Sequence, residues 1–357
     1  MLWEQLGSPS EYLRILYGQS RHHALRGELD LARRLDEDLL RLSRQRNDSA
    51  GLLLGHLSSG MNLILAGKFA SSRSHLEEAI GLYDPTPHRS LVDQAGASHP
   101  HVTSQSHLGI VLSCLGFLDQ ALARSSAAIA EAGRLAHPRS LAVSLTYGSR
   151  LLSIIGESAA LHERSDQLVA VTTEQGFPVW RAAGTMYRGW VRVKNGDVAQ
   201  GITLLHSGLA AYRATGMGVF LPHFIALLAG AYEIAGRIEE AATQLDEALQ
   251  IIEGTGERWF AAELNRYKGQ LLLRQGHFEA AEELYCEALS IAQEQEAKLW
   301  ELRAAASIAR LRRDEGRRAE ARDLLAPVYG WFTEGFDTPD LKEAKALLDE
   351  LGGNRRT

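Results

Sequence analysis

The sequence predicts an all-α solenoid of eight helical hairpins, each about 40 residues long, with a capping helix at its C-terminal end. Three observations carry this. Glycines interrupt the apolar helical stretches at Gly27, Gly67, Gly116, Gly156, Gly196, Gly236, Gly276 and Gly316, in steps of 40 residues except for one of 49. Seven residues before each of them the side chain is small: Ser20, Gly60, Gly109, Ser149, Gly189, Ala229, Gly269 and Ala309. Alanine recurs five residues after the glycine (Ala32, Ala121, Ala241, Ala281, Ala321) and twelve after it (Ala79, Ala128, Ala248, Ala288). Offsets seven apart share one face of a helix. Small residues there let two helices approach closely, and the glycine supplies the break between them. The unit is therefore helix A, tight turn, helix B, and residues 1–351 read as one array.

The longer step falls on residues 84–100, DPTPHRSLVDQAGASHP, whose Pro, Gly, Ser and His content marks a loop insertion. A second register marks the joints between hairpins. Gly176, Gly216 and Gly256 read as glycines ending helix B, and Trp180, Phe220, Phe260 and Trp300 follow at the same spacing. These aromatics are expected to plug the junctions between neighbouring repeats, since a buried aromatic contributes roughly 1.5–3 kcal/mol. At the end of the array Thr338 reads as an N-cap, Pro339 as the first helical residue and Asp340 as a first-turn acid. The capping helix is expected over 339–351, with Leu341, Ala344, Leu348 and Leu351 on its packed face, and residues 352–357 as a disordered tail.

Small residue, turn glycine, alanine, alanine resembles the tetratricopeptide pattern across nearly the whole chain. It is clearest in YEIAGRIEEAATQLDEALQII and LLLRQGHFEAAEELYCEALSIA. That resemblance implies a right-handed TPR-like α-solenoid used for binding protein or peptide partners. The usual period is about 34 residues, so this array has longer helices. Residues 255–276 and 301–351, with LYDPTPHRSL and TEQGFPVWRAAGTMYRGW, resemble something narrower. They look like the C-terminal repeat region of bacterial signalling proteins in which a class III adenylate/guanylate cyclase or DNA-binding domain precedes an AAA-like NTPase module. This resemblance implies a sensor or regulatory array, and it carries over no catalytic residue.

The rest of the sequence points away from catalysis. Hydrophobic residues make up 45% and charged residues 23%, with a net charge of −6, a balance that argues against a nucleic-acid or anionic-membrane binder. The N-terminus lacks a basic segment followed by an apolar run, and the cysteines, Cys114 and Cys286, lie far apart, so a cytoplasmic protein with free thiols is expected. Cys286 reads as a small buried hydrophobe beside the helix B alanine face. Gly67-Lys68 lacks the rest of a Walker A loop: Asn62 replaces its first glycine and Phe69 its Ser or Thr. HExxH, CxxC and GxSxG do not occur. His99-Pro100-His101 with His88 lacks the carboxylate or thiol company of a metal site. No cofactor and no metal are expected.

Binding is expected on the concave face, lined by the A helices at about thirteen, ten and six residues before each turn glycine. The candidates are Tyr17, Arg21, Arg150, Trp190, His223, Glu263, Arg266, Gln270, Arg303 and Arg310. A mixed polar row with two aromatics suits a peptide or protein partner, with a small-molecule effector as the alternative. The run Arg310, Arg312, Arg313, Arg317, Arg318 reads as a solvated face paired with Asp314, Glu315 and Glu320, or else as a dock for an acidic surface.

Overall fold

The computed structural model describes residues 11–88, 91 and 98–353. Among these, every regular element is a helix. Eight hairpins run in order: α1 (Glu11–Leu25) with α2 (Leu29–Arg46), α3 (Ser49–Leu65) with α4 (Phe69–Leu82), α5 (Pro100–Cys114) with α6 (Leu118–Arg134), and α7 (Pro138–Ile155) with α8 (Ser158–Glu174). They continue as α9 (Pro178–Lys194) with α10 (Val198–Ala214), α11 (Leu221–Ile234) with α12 (Ile238–Thr255), α13 (Ala261–Arg274) with α14 (Phe278–Glu294), and α15 (Lys298–Asp314) with α16 (Arg318–Gly330). α17 (Pro339–Gly352) covers the last hairpin. In the insertion, Pro85–His88 form one helical turn. The residues expected to be a disordered tail lie outside the described residues from position 354 onward.

The hairpin tips are built alike. Gly67, at φ 71°, lets its own amide donate to Ile64 O at 2.9 Å and the Lys68 amide to Leu63 O at 2.9 Å, ending α3 without orphan carbonyls. Small side chains then set the distance between A and B helices. A Cβ added at Gly189 would lie 2.8 Å from the Gly201 carbonyl oxygen, so α9 and α10 are already in backbone contact. At the joints the left-handed register is wider than its glycines show. Ala136 (φ 49°) and Glu296 (φ 54°) occupy the position that Gly176, Gly216 and Gly256 hold elsewhere. Thr338 sits at the N-cap of α17, but its hydroxyl donates back to Gly335 O at 2.7 Å and does not cap the helix. Leu347 takes the buried place expected for Leu348.

Burial separates the layers. α5 buries 14 of its 15 residues and α6 only 5 of 17, so A helices lie inside and B helices form the outer shell. What covers the inner faces of the A helices is the opposite turn of the superhelix. The Gly218 amide donates to Leu25 O at 2.8 Å, and the Arg258 amide to Leu65 O at 2.7 Å. The tip of the third hairpin meets Trp331 and Phe332 at Gly116, while the Gly335 amide donates to Asp119 at 3.2 Å. The Arg303 guanidinium donates to Ile154 O, and α15 packs against α5 across the axis. The first two tips thus touch the joints four repeats further on, the third touches the segment after α16 and the end of α7 touches α15, and the array closes upon itself.

Candidate functional site

Among the described residues, closure leaves a larger and a smaller space inside the superhelix. The larger, about 850 Å³, lies between the inner faces of α1, α3, α5 and α7 and the joint leading into α9. Its polar lining includes Arg14, Arg21, Arg139, His107 and Tyr17. Arg21 is held by a buried chain of hydrogen bonds. Its Nη1 donates to Asn62 Oδ1 at 2.9 Å, and Asn62 Nδ2 donates to Asp36 Oδ2 at 2.6 Å. Ser20 Oγ donates to Asp36 Oδ1 at 2.6 Å. Burial pushes the Asp36 carboxyl up, against hydrogen bonds from Ser20, Ser58 and Asn62 that pull it down. The carboxylate orients the amide of Asn62, whose carbonyl then fixes the guanidinium at the cavity wall.

Arg139, by contrast, is held by rings. Its guanidinium lies 5.4 Å from the Phe177 centroid and 5.5 Å from that of Trp180, and the two rings meet edge to face at 5.2 Å. His107 is neutral, because burial pushes its pKa down to about 3. Its Nδ1–H therefore donates to Thr103 O at 2.8 Å, leaving Nε2 an acceptor. Its ring packs 3.9 Å from that of Tyr147. Behind Tyr147 stands Arg150, fully buried, 3.8 Å above the Phe220 ring. Next to that ring the Glu257 carboxyl accepts from the Phe220 amide at 3.0 Å and from Trp259 Nε1 at 2.7 Å. Burial raises it to about 7.

The smaller space, about 400 Å³, is lined by Arg266, Gln270, Arg303, Arg310, Lys194, Asp340 and Glu343, among others. Most of its cations are matched by acids. Arg266 and Arg303 share Glu263 at 2.6 and 2.9 Å, Arg303 also meets Asp340 at 2.7 Å, and Arg310 meets Glu343 at 2.8 Å. Burial raises the Glu263 carboxyl, but the two arginines pull it the other way and the net shift is downward. Gln270 donates to Glu233 at 2.7 Å.

The inner row expected from the sequence is therefore not one open groove. Tyr17 and Arg21 line the larger space, and Arg266, Gln270, Arg303 and Arg310 the smaller. Glu263 lies beneath the ion cluster, and Arg150 and His223 are buried among aromatic rings. Trp190 is half-buried beside Gly230, with Lys194 at 5.7 Å from its ring. Of the junction aromatics Phe220, Phe260 and Trp300 are buried, whereas Trp180 is half-buried on the cavity wall. Cys286 is exposed, not buried as expected, because its position faces away from the alanine seam. The arginine run pairs not only with Asp314, Glu315 and Glu320 but also with Glu282, Glu343 and Glu350. Sequence reasoning missed Asp36, Asn62, His107, Arg139 and Tyr147. Asn62 carried a usable signal, a lone amide in the apolar run SAGLLLGHLSSGMNLIL.

Residues 223–294 match the family model described as tetratricopeptide repeat. An uncharacterized protein of Rhizobium meliloti (strain 1021) is 25% identical over 256 residues, which cover 71% of this chain and only 25% of that relative. The chain thus spans about a quarter of the length of the curated relative it matches. Among solved structures, a Rap protein complexed with Competence and Sporulation Factor superposes with a TM-score of 0.60 at 13% identity, over 96% of this chain and 98% of that one. The Rap conjugation gene regulator of plasmid pLS20, in complex with a Phr peptide, gives 0.59 at 10% identity, over 97% and 99%. The Cut9–Hcn1 hetero-tetramer of the APC/C gives 0.53 at 12% identity, over 95% and 55%. These likenesses are of fold: the chain is a TPR-like α-solenoid, and within it residues 223–294 match the tetratricopeptide repeat.

Proposed function

We propose that this chain is a non-catalytic regulatory array that receives a short peptide from a partner inside its closed superhelix. The observation that carries the reading is the larger cavity: the inner faces of four A helices converge on it, and Arg14, Arg21 and Arg139 are among its lining residues. The fold is shared with two Rap structures, one complexed with Competence and Sporulation Factor and one with a Phr peptide, which supports a peptide as occupant. A compact small-molecule effector is the second reading, favoured by a volume of about 850 Å³, within the range of such sites. We also place the array in the regulatory region of a longer cytoplasmic protein of cyclase/NTPase type. Support for this comes from the resemblance of residues 255–276 and 301–351, and from the greater length of the curated relative. A reading frame for a cyclase or NTPase domain fused to or beside this one is the observation that tests that context.

Gly18 offers a test of the cavity. It lines the space, and a Cβ added there meets nothing within 4 Å. Gly18→Phe should therefore fill the cavity without disturbing α1. A random heptapeptide library panned against the native chain should enrich sequences that no longer bind Gly18→Phe. Enrichment of nothing, or of peptides that bind both proteins alike, overturns the reading.

A further inference from the structure

α5 carries many polar side chains for a helix that buries 14 of its 15 residues, and several of them bond back to the helix itself. The Thr103 hydroxyl donates to His99 O at 3.0 Å, that of Ser104 to Pro100 O at 2.9 Å and that of Ser106 to Val102 O at 2.8 Å. His107 is held differently. Its Nδ1–H donates to Thr103 O at 2.8 Å, and this fixes the tautomer, because a carbonyl oxygen can only accept. Nε2 keeps a lone pair, and among the described residues nothing donates to it. The residue is only 3% exposed and lines the larger cavity. Its Nε2 is nevertheless not sealed in, unlike the orphaned ring nitrogens His56 Nδ1, His99 Nδ1 and His223 Nδ1, so its open side is the cavity. Tyr147, also a lining residue, packs against the same ring at 3.9 Å. Water can satisfy such a nitrogen, but a ligand that fills the space displaces water from it. A ligand without a donor then leaves the nitrogen unpaired, which costs about ten- to a hundredfold in affinity.

Building on the reading that this cavity is the ligand site, we infer that His107 Nε2 selects a ligand that carries an N–H or O–H donor on a flat group able to lie against Tyr147. A backbone amide of a peptide and the N–H of a free indole-like ring both present that chemistry. Burial, opposed by the Thr103 bond and helped by the charges of Arg21 and Arg150, pushes the His107 pKa down to about 3, so the ring is an acceptor throughout the neutral range.

Two fluorescent probes of nearly the same shape test for the donor: phenylnaphthylamine, with one N–H, and its N-methyl derivative, with none. The N–H probe should bind the native chain at least about tenfold more tightly. In His107→Phe, which keeps a ring beside Tyr147, that preference should disappear. In His107→Gln, whose amide oxygen can take the place of Nε2, it should return in part. Gly18→Phe should abolish binding of both probes. Displacement of the N–H probe then identifies the source of the donor. Indole but not N-methylindole stands for a free ring; an acetylated Leu-Ala-Leu dimethylamide but not its form methylated on all three backbone nitrogens stands for a peptide amide. Displacement in either pattern supports the inference, and failure of both indole and the tripeptide to displace the probe counts against it. A preference that survives in His107→Phe, or equal binding of the two probes that is lost in Gly18→Phe, overturns the role of His107 and leaves the cavity as a ligand site. A preference absent from His107→Gln as well assigns the ring to packing alone and overturns that role too. Binding that persists in Gly18→Phe, or no binding of either probe, overturns both readings.

Discussion

Arg21, Arg150 and Arg310 hold the same place in their repeats, six residues before a turn glycine, and meet three different fates. Arg21 reaches a cavity through Asn62, Arg150 is buried over Phe220, and Arg310 pairs at the surface with Glu343. What differs is the neighbour: α3 of the next repeat for Arg21, the joint before α11 for Arg150, and the capping helix α17 for Arg310. Glu257 has the clearest consequence in solution. Burial raises its carboxyl from 4.5 to about 7, while hydrogen bonds from Trp259 and Phe220 and the charge of Arg150 act against that rise. The folded chain therefore keeps a proton that the unfolded chain loses. The stability this group contributes is complete below a pH of about 4.5 and is lost as pH rises through about 7. Beside it, the Arg258 and Trp259 amides donate to Leu65 O and tie two turns together. The urea midpoint of the native chain should fall between about pH 6 and about pH 8, and that of Glu257→Gln should stay level. Equal slopes in the two proteins would show that this carboxyl does not titrate as described.

At the scale of single elements, glycine has two separate jobs, and two substitutions of opposite sign tell them apart. Gly189 is needed for closeness: an added Cβ would meet the Gly201 carbonyl oxygen at 2.8 Å and the Leu205 amide at 3.0 Å. Gly189→Ala should push α9 from α10 and destabilise by about 1–3 kcal/mol. Glu296 has the reverse problem, an ordinary side chain held at φ 54°. Glu296→Gly should stabilise by about 0.5–1 kcal/mol, because the left-handed conformation costs an L residue roughly 1–2 kcal/mol and glycine's greater loss of freedom offsets part of the relief. Urea denaturation of both variants against the native chain gives the two signs. Hairpins and tips were legible in the sequence because glycine and alanine mark them at fixed offsets. The joints at Ala136 and Glu296 were not, since the packing of flanking helices imposes the left-handed backbone whatever residue is there.

Over the whole molecule, closure rests on a few contacts between hairpin tips and distant joints. Gly218 is one that can be broken cleanly. A Cβ there would stand 2.9 Å from the Arg26 carbonyl oxygen and 3.0 Å from its carbon, both backbone atoms that cannot turn aside. Gly218→Ala should release the first tip from the joint before α11, while neighbour-to-neighbour packing, on which solenoid stability mainly depends, keeps every helix. The radius of gyration from small-angle scattering should rise, amide protection at Gly218 should fall, and helical circular dichroism should stay unchanged. An unchanged radius would mean that closure does not depend on this contact. Leu25 and Met217 line the larger cavity beside the same contact, so its opening should also weaken binding of the selected heptapeptides there.

The sequence by itself determined the repeat. Its period, its eight hairpins, the close crossings of A on B and the capping helix all follow from short-range signals, because a left-handed glycine or a small residue at a crossing acts within one helical turn. The inner face was legible as a set of positions, and Tyr17 and Arg21 were among them. Only the tertiary structure decided what those positions face. The rotation from one hairpin to the next is small and accumulates over four repeats before a tip meets a joint, so no local window contains it. That accumulated rotation brings Ile154 O to Arg303 and Leu25 O to Gly218, and sets the joint leading into α9 against Arg21 to form the larger cavity.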